Sequence, residues 1–271
     1  MFNEIPLDKI RELFSLYMKV TDIPRLEDRE EGDPSLRGKN VGIINGGDWT
    51  SLWSNYFGRK MLPEVRLINV GNQAVQLNFM AAYEKGLPTP PKVNIEAFKR
   101  YALDLIELWD IDVILISCST MNRSYPEIEK VASPHGIPVV PIDMPMMESA
   151  VSRGGRVLVV ATHGPTVDNT RKLLFETSER MNAQIEVSGA TVEEAFHLLG
   201  NGEIDEHNRL IAQAISEAAA KEEINSVVLA QLSMSVFKFS HPNPEQEFGC
   251  PVFTSGEEGF RRVRELLLQS E

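Results

Sequence analysis

The sequence is short of several things. It holds two cysteines in 271 residues, Cys118 and Cys250. That is too few for a disulfide framework, and the expected setting is a reducing cytoplasm. No apolar run is long enough to span a bilayer. The opening residues, Met1-Phe2-Asn3-Glu4-Ile5-Pro6, show no basic stretch followed by an apolar one. Neither a membrane partner nor a signal peptide is therefore expected. Positive charge is scarce: 27 Lys and Arg face 39 Asp and Glu, for a net charge of -12. Such a surface repels phosphate backbones and argues against nucleic acid as a partner. The Gly-x-Gly-x-x-Gly dinucleotide fingerprint is missing. His135, His197, His207 and His241 have no metal-ligand spacing to the cysteines, so no metal or other cofactor is expected.

What is present is ordinary globular composition, 42% hydrophobic and 24% charged. Ile10, Leu13, Phe14 and Tyr17 recur at helical spacing and predict an amphipathic helix over 7–20 whose apolar stripe needs a partner. A polar stretch over 22–39 reads as a linker. From Val41 the pattern turns to alternating strands and helices. Strands are expected at 41–44, 65–70, 111–117 and 137–142, then at 156–161, 184–188, 226–230 and around Val252 and Phe253. Asn94 is expected to cap one helix, and Ser124 with Glu127 to form a capping box on another. Helices are also expected over 165–181 and 204–221, with a last one around Phe260, Val263 and Leu267. The alternation implies parallel sheets covered by helices, an α/β fold.

The two halves align on themselves. The run Val113-Ile114-Leu115-Ile116-Ser117-Cys118-Ser119-Thr120-Met121 lies over Ser226-Val227-Val228-Leu229-Ala230-Gln231-Leu232-Ser233-Met234, and the same shift of 113 residues carries Gly136-Ile137-Pro138-Val139 onto Gly249-Cys250-Pro251-Val252. One shift serving two separated stretches implies a duplicated α/β unit. Cys118 and Gln231 become equivalent positions just past a strand's C-terminal end, where open parallel sheets bind ligands. Cys250 falls at the start of a strand, where it reads as a small buried hydrophobe, and a bridge to Cys118 is geometrically unattractive.

With the stretches Ile114 to Thr120, Gly136 to Asp143, Arg156 to Thr166 and Cys250 to Ser255 in hand, the chain from Val41 onward resembles the aspartate/glutamate/hydantoin racemase superfamily. The resemblance implies two pseudo-symmetric, flavodoxin-like parallel-sheet domains with the active site in the cleft between them, and the N-terminal helix as an addition. The expected division is 1–40 for helix and linker, 41–146 for a first domain completed by the C-terminal helix 255–271, and 147–254 for the second. It also implies catalysis by proton transfer at a substrate carbon between two cysteines. Cys118 matches the first; the second is replaced by Gln231, an amide that neither takes nor gives a proton near neutral pH.

These readings leave a definite list of candidates. Cys118 is the expected catalytic group. His163 is the alternative second acid or base, or a solvated loop histidine. The expected substrate-binding set is Asn45, Gly46 and Gly47 as a backbone cradle, Ser119 and Thr120 beside the thiol, Thr162 and Thr166 at a helix start, and Gln231 with Ser233. Trp49 and Trp53 wall the pocket or fill the core, and Met144, Met146 and Met147 read as core or interface. The expected function is a cofactor-independent isomerase or racemase acting on a small carboxylate. A decarboxylase of the same superfamily, a non-catalytic carboxylate-binding protein, and a hydrolase with a Cys118–His163 pair stay open beside it. A cytoplasmic homodimer is expected.

Overall fold

The computed structural model describes residues 6–21, 32–162 and 164–269. In chain order the first half contains α1 (Leu7–Thr21), β1 (Asn40–Asn45), α2 (Asp48–Met61), β2 (Arg66–Gly71), α3 (Gln73–Glu84), α4 (Lys92–Leu108), β3 (Val113–Ile116), α5 (Tyr125–Ala132), β4 (Val139–Pro141) and α6 (Met144–Arg153). The second half contains β5 (Gly155–Ala161), α7 (Gly164–Arg180), β6 (Ile185–Thr191), α8 (Glu193–Gly200), α9 (Ile204–Ala219), β7 (Ser226–Leu229), α10 (Phe237–Ser240), α11 (Pro244–Phe248), β8 (Val252–Thr254) and α12 (Ser255–Gln269).

The strands form two four-stranded sheets, ordered β2-β1-β3-β4 and β6-β5-β7-β8, with every pairing parallel. The order is the same in both, and so is the register. Ile114 pairs with Val139 and Val227 with Val252, each 113 residues on. Val41 pairs with Val113 and Val157 with Ser226. The internal repeat is therefore a repeat of structure.

Strand side chains alternate between faces, and the central strands β1, β3, β5 and β7 are covered on both, so their runs are mostly apolar. In the first sheet Val41, Ile43, Val113 and Leu115 meet Phe57 of α2 and Phe260, Val263 and Leu267 of α12. Ile44, Ile114 and Ile116 point the other way, onto Phe98 and Leu105 of α4 and Ile128 of α5. In the second sheet Val157, Val159 and Val228 meet Met146 and Met147 of α6 and Leu174 of α7. Leu158, Val160, Val227 and Leu229 meet Ile211 and Ile215 of α9. Helix α12 follows β8 in sequence but returns to cover the first sheet. Leu199, Leu232 and Val236 of the second half join that same core.

Three local expectations need correction. Pro91, not Asn94, stands at the N-cap of α4. The Asn94 side chain is buried in the first turn, where its Nδ2 donates to Val75 O at 3.0 Å and its Oδ1 accepts from Asn78 Nδ2 at 2.7 Å, tying α3 to α4. Ser124 and Glu127 form no capping box. Ser124 already has helical dihedrals as the end of a 3-10 turn over Ser119–Ser124, so its hydroxyl donates back to Met121 O at 2.6 Å, and Glu127 pairs with Lys130. The polar stretch before β1 is not all linker: Leu36, in a 3-10 turn over Pro34–Leu36, is fully buried beneath the first sheet, and residues 22–31 lie outside the described part.

Helix α1 leaves its apolar stripe open: Leu13 is 58% and Phe14 63% exposed. Among the described residues no helix is long and apolar enough to cross a membrane.

Candidate functional site

Both sheets end, on their C-terminal side, at a cavity of about 1100 Å³ whose wall is drawn from both halves. Cys118, Ser119 and Thr120 reach it from the first half, and Thr166, Gln231 and Ser233 from the second. Cys118 stands two residues beyond β3 and Gln231 two beyond β7, each heading a 3-10 turn, Ser119–Ser124 and Leu232–Val236 respectively. A strand that ends in such a turn directs its first backbone N–H groups at one spot, which suits an anion.

The neighbours of the two positions differ, and the difference decides their chemistry. Cys118 Sγ lies 3.2 Å from Thr120 Oγ1 and 3.8 Å from Gln76 Oε1, while Thr120 Oγ1 is also 3.4 Å from Gln76 Oε1. A single threonine proton can thus serve either acceptor. It goes to sulfur when sulfur is a thiolate, and to Gln76 when the thiol keeps its own proton. The glycine behind the sulfur is required there, since a Cβ on Gly46 would sit 2.9 Å from Sγ. On the other side Gln231 Oε1 accepts from Thr162 N at 3.0 Å and Thr162 Oγ1 at 2.7 Å. Both acceptor lone pairs are used, so the amide presents its NH2 end as a donor.

Cys118 is buried, and burial pushes its thiol pKa up. Thr120 and the backbone amides of Met121 and Thr120 pull it down, and the charge of Asp143 pushes it up again. Asp143 stands two residues beyond β4 and is itself buried on the cavity wall. It accepts from Ser119 Oγ at 3.2 Å and from Asn122 Nδ2 at 2.5 Å. Burial raises its carboxyl to about 6 against the pull of its donors.

Other candidates stand farther back. Asn45 is off the wall; its Nδ2 donates to Asn69 Oδ1 at 3.5 Å, and its carbonyl oxygens leave Gly71 no room for a Cβ. Gly46 touches the thiol from behind, Gly47 caps α2, and Thr162 is buried behind Gln231. His163 lies outside the described residues. Trp49 and Trp53 both line the cavity, and Trp49 meets Phe196 of α8 edge-to-face with ring centroids 6.2 Å apart. Met144 lines the cavity, whereas Met146 and Met147 are core. Both cysteines are free, and Cys250 is buried among apolar residues of the second sheet. The arginines on the wall, Arg123, Arg180 and Arg262, are each engaged by Glu176 or Glu148. Among the described residues, the remaining donors on the wall are neutral.

Sequence reasoning missed Gln76, Asn122 and Asp143. Gln76 carries no signal, because only the fold brings α3 against the residue 42 positions later. Asp143 had one: an acidic residue placed directly after a buried strand, at the edge where such sheets bind ligands.

The Asp/Glu/Hydantoin racemase model matches residues 87–263. The chain belongs to that family. Solved members and neighbours of the racemase fold superpose on most of it. An aspartate racemase homologue from Pyrococcus horikoshii aligns with a TM-score of 0.63 at 19% identity, covering 84% of this chain and 99% of that one. Glutamate racemase from Francisella tularensis, in complex with D-glutamate, gives 0.60 at 15% identity, covering 87% and 82%. A variant of arylmalonate decarboxylase in its sulfate-associated form gives 0.58 at 16% identity, covering 86% and 94%. At these identities the likeness is one of fold. No curated protein sequence matches significantly.

Proposed function

We propose that this racemase-family chain is a cofactor-independent enzyme that transfers a proton at a carbon of a small carboxylate, with Cys118 as the proton-transfer group. The observation that carries this reading is the asymmetry of the two equivalent positions. Cys118 has an ionisable sulfur on the cavity wall, held by Thr120 and the amides of its turn, and Gln231 offers only an amide fixed by Thr162. Proton removal or delivery then occurs on one face of the substrate. Gln231 Nε2, Ser233, Thr166 and the turn amides are the donors we assign to the carboxylate and to the enolate-like charge that develops beside it. Isomerisation or exchange without efficient inversion fits this arrangement.

Decarboxylation is the second reading, and one feature favours it. Burial and the Asp143 charge both hold Cys118 toward the thiol. A thiol is a loaded proton donor, which is what a carbanion left by loss of carbon dioxide requires.

A thermal-shift screen of small carboxylic acids tests the binding half of the proposal. A ligand present at about one hundred times its Kd adds about 2.7 kcal/mol of stability, an easily read rise in Tm. At least one acid should give that rise. If none does, across amino, hydroxy, alkyl and aryl substituents, the carboxylate assignment fails. We assign the open stripe of α1, with Leu13 and Phe14, to self-association. Sedimentation should show a dimer that becomes monomeric when residues 1–21 are removed, and an unchanged mass would refute this.

A further inference from the structure

We propose that Asp143 is a positioning residue for Cys118: it fixes the turn that carries the thiol, and its charge works against that thiol's ionisation. The carboxylate bridges two points of the turn over Ser119–Ser124. One oxygen takes the Ser119 hydroxyl, on the residue next to the thiol, and the other takes the Asn122 amide, one turn later. The amides and the Thr120 hydroxyl that face sulfur belong to the same turn. A carboxylate that clamps its start and middle therefore fixes the donors as well as the sulfur. The Asn122 side chain has no other hydrogen-bond partner among the described residues, its Oδ1 being buried and unpaired.

The charge acts separately from the clamp. Asp143 is 4% exposed, so water screens its field at sulfur poorly. The charged side chains on the elements around it are occupied elsewhere. Arg123 on its turn pairs with Glu176, and Glu148 on α6 pairs with Arg180 and Arg262. On α12, Glu257 pairs with Lys238, and Glu258 with Arg261. Among the described residues none of these side chains hydrogen-bonds Asp143, and its hydrogen-bond donors are neutral. Above its own ionisation its negative charge disfavours the Cys118 thiolate; below it that opposition is gone.

The meaning of this device for catalysis rests on the proposed role of Cys118, but its test reads the thiol directly and needs no substrate. The rate of Cys118 modification by dithiodipyridine is followed against pH in the Cys250→Ala background, with and without Asp143→Asn. Removing the charge should speed modification between about threefold and about tenfold near neutral pH. The gain should fade as pH drops through about 6, where the native carboxyl loses its own charge. Asp143→Ala, which removes the clamp as well as the charge, should keep that pH-dependent gain and add to it a faster reaction that persists below about pH 6. A rate ratio for Asp143→Asn that stays at one, or that is the same at all pH values, overturns the electrostatic role. If the ratio behaves as expected but Cys118 proves dispensable for turnover, the inference stands and the proposed function falls.

Discussion

Substituting Cys118 by Ser should lower turnover by about 10²- to 10⁴-fold, the usual contribution of one positioned acid or base. A serine hydroxyl keeps nearly the same volume and can still hydrogen-bond Thr120, but it does not exchange a proton with carbon at neutral pH. Stability should fall by no more than about 1–3 kcal/mol, the usual cost of a buried hydroxyl, because the side chain is one member of a large cluster that includes Ile44, Phe98 and Ile128 and Thr120 Oγ1 is within reach as a hydrogen-bond partner. Carboxylate binding should also survive, because the donors assigned to it are Gln231, Ser233, Thr166 and backbone amides. Thermal shift with the best acid from the screen checks binding, and steady-state turnover checks chemistry. Loss of both together would mean that Cys118 acts in binding. Retention of both would remove it from the mechanism.

The second large effect concerns stability and the same carboxyl that faces the thiol. Asp143 has its pKa raised from 3.8 to about 6. A carboxyl whose pKa rises on folding gives stability that is fully present below the unfolded value. That stability is lost as pH rises through the folded value. The difference, about two pKa steps, corresponds to about 3 kcal/mol. Asp143→Asn removes the ionisation and can keep an oxygen for one of the two donors, so it should stabilise the protein above about pH 7 by up to that amount. Below about pH 3, where the carboxyl is neutral in both folded and unfolded states, the gain should vanish or reverse. Urea unfolding of the two proteins across that range measures it. Equal stability differences at both ends would show that the hydrogen bonds to Ser119 and Asn122 matter and the charge does not. A destabilising charge kept beside the thiol would be the kind of trade that active sites commonly make.

Much of the frame was legible because it repeats. The shift of 113 residues that joins Cys118 to Gln231 also joins Ile114–Val139 pairing to Val227–Val252 pairing, and continuous apolar runs mark strands covered on both faces. The location of Cys118 and Gln231 past those strands follows from the same pattern. What sequence could not show arises from contacts between distant segments. Gln76 meets Cys118 only because α3 packs beside β3's exit. Asn45 spends its side chain on Asn69 and the close approach of Gly71, so a residue in a promising turn faces away from the cavity. The helix signals of Asn94 and Ser124 misled for a local reason: each side chain had a better partner, Asn78 with Val75 for the first and Met121 for the second. Capping preferences describe side chains with no such partner.

The central claim is that one thiol, Cys118, moves the proton from one face. The most direct measurement is proton NMR of a chiral acid selected by the screen, incubated with the enzyme in deuterium oxide and followed for both deuterium incorporation and inversion. The account predicts that deuterium enters the α-position faster than the enantiomer appears, and that Cys118→Ser stops incorporation. Inversion that keeps pace with incorporation would contradict it, because a second acid would then have to serve the face assigned to Gln231.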